Sequence, residues 1–121
     1  QKIQEMAMIL TARNKDCQYI WFAHAARARQ EGISNEFVNA LRDKKPLPDL
    51  PHDEQIVVDY ANELFGTNRV SDTTFKAVMD HFGSQLLTEL TTMMGYYALL
   101  ALNVNAFDVD VPTGGEAPLV V

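Results

Sequence analysis

The sequence contains one cysteine, Cys17, so no disulfide can form within the chain. That excludes a disulfide-stapled scaffold and points to a reducing, cytoplasmic setting. No apolar run reaches the roughly 20 residues needed to cross a bilayer, and the densest stretch, Met93 to Val104, is interrupted by Gly95 and Asn103. Positive charge is scarce: 10 Lys and Arg stand against 16 Asp and Glu, for a net charge of −6. The nearest basic grouping, Arg27 and Arg29 with Lys44 and Lys45, is too sparse to grip a phosphate backbone, so nucleic acid is not an expected partner. The start of the chain lacks the basic residues and apolar core of a signal peptide. It also lacks a Met, and the expectation is that a longer parent chain precedes Gln1. There is no Gly-rich phosphate loop and no nucleophile elbow. His24, His52 and His81 are scattered, with no second ligand at a sensible spacing, so neither a metal nor a cofactor is expected.

What is present is apolar periodicity. Hydrophobic residues make up 47% of the 121, enough for the core of a single domain over 1–121. The pattern is helical throughout, with none of the alternation or hairpin turns of a sheet. A compact bundle of about six helices follows. The first runs from Lys2 to Ala12. The second is capped by Asp16 and stops at Gly32, a residue suited to a left-handed terminal position. Ser34 caps the third, and the proline-rich Lys44 to Pro51 forms a loop. A fourth helix from His52 or Asp53 ends at Gly66. A fifth runs from Ser71 or Asp72 to Gly83, and the longest starts at Ser84. That last helix is apolar over much of its circumference and must be covered by its own domain or by another copy of the chain. The tail from Asp108, with Pro112, Gly114, Gly115 and Pro118, is read as extended and as wrapping a neighbouring subunit.

The chemistry centres on Cys17-Gln18-Tyr19-Ile20-Trp21-Phe22-Ala23-His24. Cys17, Ile20, Trp21 and His24 are three or four residues apart and share one helix face. An imidazole there is available as a general acid or base, although a structural histidine bonded to a carbonyl is the simpler reading of an isolated one. Glu5 lies in an apolar pattern. If it points inward it needs a partner, and His24 is the natural one, since a carboxylate orients an imidazole. Cys17 near a helix start is a candidate thiolate, against the plainer role of a small buried apolar residue. Arg13, Arg27 and Arg29 are candidates for holding an anionic carboxylate. Tyr96 and Tyr97 read as core or interface residues, one of which could turn its hydroxyl to a pocket.

The run Glu5, then Cys17-x-Tyr19-x-Trp21-x-x-His24, then Ala28, Gly32, Ile33 and Ser34 resembles the carboxymuconolactone decarboxylase family, which includes the alkyl hydroperoxidase D-like proteins. Ala61-Asn62-Glu63-Leu64, Val70-Ser71-Asp72, Phe75 to Gly83 and Asn105-Ala106-Phe107 are similar to its later segments. The resemblance implies an all-α fold and a homo-oligomer, commonly a trimer or hexamer. In the hydroperoxidase branch, Glu5, Cys17 and His24 fall on the glutamate, first cysteine and histidine positions, but Ile20 stands where the second cysteine belongs. An internal disulfide cycle is therefore closed to this chain, and a one-cysteine peroxidase would need an external thiol. The decarboxylase branch needs no cysteine pair. It implies His24 as proton donor or shuttle, Glu5 as its orienting group, and Tyr19, Ile20 and Trp21 along an apolar pocket for a small carboxylated lactone or related organic acid. Many relatives carry an acidic residue where Ile20 stands. Three readings stay open: a cofactor-free lyase, a thiol-dependent peroxidase using Cys17, and a non-catalytic oligomeric family member.

Overall fold

A computed structural model describes residues 1–121. Its elements are α1 (Lys2–Asn14), α2 (Gln18–Gln30), α3 (Asn35–Arg42), α4 (His52–Thr67) and α5 (Asp72–Ala106), with no strand. The expected sixth helix is the second half of α5, which kinks at Gly83. There φ is 79° and ψ is 166°, a backbone conformation open to glycine and strained for residues with a Cβ, so the helical direction breaks where the sequence places that residue.

The middle of the bundle is α1. Met6, Ala7, Ile9, Leu10, Thr11 and Ala12 are all buried, more of the circumference than one apolar stripe covers, and α2, α4 and α5 all pack against it. Its N-terminus is tied to α4 by Lys2, whose Nζ lies 3.1 Å from both Asp53 and Glu54. The hydrogen bond to Asp53 leads the effects that raise the Lys2 ammonium above its usual range. This anchor sits one turn before Glu5 and fixes that end of the helix.

Local signals set most boundaries. Gly32, at φ 103°, ends α2: its N–H bonds Arg29 O at 3.1 Å and the Ile33 N–H bonds Ala28 O at 3.0 Å, with Ile33 buried behind it. Ser34 Oγ accepts from the Phe37 N–H at 3.1 Å and Ser71 Oγ from the Thr74 N–H at 3.2 Å, capping α3 and α5. Two ends differ from expectation. The N-cap of α2 is Cys17, because Asp16 takes a left-handed φ of 50° in the turn and pairs with Arg13 instead. Gly66 lies inside α4, which continues to Thr67 and is closed by Asn68 at φ 61°.

The tail also departs from expectation. It lies across α2 of its own chain. The Gln18 side chain exchanges two hydrogen bonds with the Leu119 backbone, at 2.9 and 2.8 Å. Arg29 forks onto Glu116 at 3.0 and 3.2 Å, and the Val120 N–H bonds Arg42 O at 3.0 Å. Gly115, at φ 72°, approaches Phe22 so closely that an added Cβ would lie 3.2 Å from its ring.

A second clasp joins α4 to α5. The Glu63 carboxylate accepts from the Thr74 hydroxyl and, at 2.7 Å, from the Ser71 N–H at the start of α5. The Thr74 bond first, then Ser71, holds its carboxyl below the usual carboxylate range. A depressed folded value contributes stability above the unfolded pKa, and that contribution is lost as pH falls through the folded one. Glu63→Gln is therefore expected to lower Tm at pH 7, with the gap from wild type closing below about pH 4. Thermal denaturation at both pH values checks this; an equal gap at both would remove the charge from the explanation.

Candidate functional site

Glu5 lies in the early part of α1 and His24 in the middle of α2, and the packing of those two helices brings them together. His24 Nδ1 is 2.8 Å from Glu5 Oε2. The imidazole is 6% exposed and the carboxylate is largely covered, so the pair is shielded from competing water. A carboxylate only accepts, which puts the hydrogen on Nδ1 and leaves Nε2 as the nitrogen that gains or loses a proton.

The only hydrogen bond of His24 is the one at Nδ1, which leaves Nε2 without a partner within the chain. The arrangement can orient an imidazole at one nitrogen and exchange protons at the other, as general acid–base chemistry requires.

Cys17, Ile20 and Trp21 are buried with His24, so the shared inward face exists. Cys17 has no exposure, and it precedes His24 by two helical turns, about 10 Å along the axis. Trp21 commits its indole N–H to the tail, donating to Ala117 O at 3.1 Å. With Gln18, Phe22 and tail residues it borders a cleft of about 400 Å³. Tyr19 is exposed and borders a separate cleft of about 410 Å³ with Asp16, Asn105, Asp108 and Asp110. Neither cleft is lined by Glu5 or His24. Arg13 and Arg29 are engaged within the chain, by Asp16 and the Arg42 carbonyl and by Glu116 respectively. His52 and His81 stand 5.8 Å apart, ring to ring. No three His, Cys, Asp or Glu side chains are grouped to hold a metal ion.

One neighbour of the pair was not assigned to it from sequence. Tyr97 of α5 sets its ring perpendicular to His24, at 87° with centroids 5.3 Å apart. Tyr96 in turn meets Tyr97 at 88° and 5.7 Å. Helical periodicity places Tyr97 on the inner side of α5 but says nothing of which residue it meets.

The chain matches no protein-family model and no curated protein. Among solved structures it is similar to the crystal structure of a protein of unknown function from Agrobacterium tumefaciens, provisionally designated antioxidant defence protein AhpD. The two superpose with a TM-score of 0.76 over 93% of this chain and 78% of that one, at 16% sequence identity. No helix here is long and apolar enough to cross a membrane. At that identity the likeness is one of architecture, and the chain has the all-α, alkyl hydroperoxidase D-like fold.

Proposed function

We propose that this protein is a cofactor-free enzyme in which the Glu5–His24 pair moves a proton, acting as a lyase on a small carboxylated lactone or a related organic acid. The observation that carries the reading is the shielded 2.8 Å bond from Nδ1 to Glu5, with Nε2 left without a partner in the chain. The substrate class comes from the resemblance to the decarboxylase branch. In such a reaction the carbon–carboxylate bond breaks, CO₂ leaves, and its electron pair spreads into the conjugated carbonyl. The Nε2–H of a protonated His24 then delivers a proton to carbon, and the ring recovers one from solvent. Glu5 holds the ring in place and stabilises its cationic form.

The site is read as completed by assembly. The outer side of α5 leaves Tyr96, Leu99 and Leu102 exposed, and Phe107 beyond its end is 81% exposed, an apolar face beside Tyr97. The exposure of that face in the single chain supports the trimer or hexamer that the family resemblance implies. The assay is ultraviolet absorbance of carboxymuconolactone with wild-type protein and Cys17→Ala, the same preparation being sized by sedimentation velocity. Turnover is expected in both, from a species heavier than the 13.6 kDa chain. Absence of lactone turnover would send the search to other organic acids. A peroxidase is the second reading, favoured by the designation of the structural neighbour. It expects consumption of hydroperoxide with an external thiol, lost in Cys17→Ala, and it needs local opening to uncover a thiol that the fold buries completely.

A further inference from the structure

We infer that Tyr97 is a positioning residue for His24, setting the plane of the imidazole and with it the direction in which Nε2 points. The inference rests on the acid–base reading above. A single hydrogen bond at Nδ1 fixes a point on the ring but not its plane. The last side-chain torsion of histidine is broad, so rotamer preference does not supply the missing constraint. A second contact must, and Tyr97 makes it: its ring stands at 87° to the imidazole with centroids 5.3 Å apart, inside the range that edge-to-face aromatic pairs favour.

The contact is braced from outside. Tyr96 packs perpendicular to Tyr97 at 5.7 Å. Tyr96 is exposed and Tyr97 half-buried, so the two rings run from the surface inward to His24 along the margin of the core. The three groups come from three helices that pack on one another: Glu5 from α1, His24 from α2, Tyr97 from α5. Glu5 and Tyr97 thus hold the imidazole from two different helices. The Tyr97 hydroxyl makes no hydrogen bond within the chain, and the ring is the part that this role uses.

The test reads the ring directly by NMR. A hydrogen held between Nδ1 and Glu5 on a fixed imidazole exchanges slowly with water and gives a resolved downfield resonance. Wild type and Tyr97→Phe, which keeps the aromatic ring, are expected to show it equally. Tyr97→Met keeps apolar bulk without the ring and is expected to broaden or lose the resonance. Its turnover should fall about 10- to 100-fold, carried by kcat rather than KM, as displacement of a reacting group does. Tyr96→Ala, at a position exposed in the single chain and on the face proposed to meet another copy, removes the brace and should broaden the resonance in part, in a sample whose assembly sedimentation velocity shows to be unchanged. A sharp resonance in Tyr97→Met overturns the proposal. Should that variant not fold, a sharp resonance in Tyr96→Ala overturns it instead, and so does its absence from wild type. The resonance needs no substrate, so failure of every lactone would sink the lyase reading alone, while turnover beside an unmoved resonance would sink only the role of Tyr97.

Discussion

Replacing His24 with alanine should remove turnover, with a loss of about 10²- to 10⁴-fold, the range that a positioned general acid or base contributes. Glu5→Gln should lose less. Its amide oxygen can still accept from Nδ1, but the negative charge that stabilises a protonated ring is gone. Both variants also disturb the fold. His24→Ala leaves a largely covered carboxylate with its only partner removed, at a cost of about 1–3 kcal/mol. That is a fraction of the 5–15 kcal/mol that holds a typical domain, so the variant should remain folded at a lower Tm. Rates taken below that Tm separate the two effects. If His24→Ala lowers Tm while the rate stays at the wild-type level, the pair is a buried structural bond and other residues carry the reaction; if wild type turns nothing over and His24→Ala lowers only Tm, the chain is a non-catalytic member of its fold. If Glu5→Gln loses as much as His24→Ala, the carboxylate does more than orient and stabilise the ring.

The sequence carries the pair because its signals are chemical and local. Glu5 in an apolar pattern requires a cation or donor, and His24 on the inward face of the next helix supplies one. Capping residues and left-handed glycines act within a few residues of themselves, which is why Gly32, Ser34, Ser71 and Gly83 all mark real boundaries. The same local logic misjudges Gly66, where glycine freedom goes unused because Asn68 adopts the left-handed turn. It also misjudges Asp16, a good capping residue that ended in the turn itself. Long-range meetings are a different matter. Trp21 and Ala117 are 96 residues apart, and the tail has no periodicity to show which surface it seeks. Tyr97 obeys the helical period of α5, but the period names a face and not a partner. The apolar excess of the last helix was legible; the structure divides it between an inner side, with Leu87, Leu90, Met94 and Ala101 buried, and the exposed outer side.

Trp21→Ala should cost about 3–5 kcal/mol, the usual loss when a large aromatic leaves a packed core. The indole is buried between the bundle and the tail, and its N–H donates to Ala117 O, so the substitution empties a core position and releases a tail anchor together. Trp21→Phe separates the two. It keeps most of the apolar surface but removes the donor, and the loss should be nearer 1 kcal/mol, the net worth of a typical hydrogen bond. The tail would still be held by Gln18 and Arg29, so protease access beyond Asp108 should rise moderately in Trp21→Phe and strongly in Trp21→Ala. Guanidinium denaturation followed by circular dichroism measures the stabilities, since Trp21 is the sole tryptophan and its fluorescence disappears with it. The same pair of variants tests the expectation that Trp21 lines a substrate pocket. A wall of the pocket predicts a raised KM in Trp21→Phe with stability nearly unchanged. An anchor for the tail predicts the reverse, a lower denaturation midpoint with KM unmoved, because the indole N–H is already committed to the protein's own backbone.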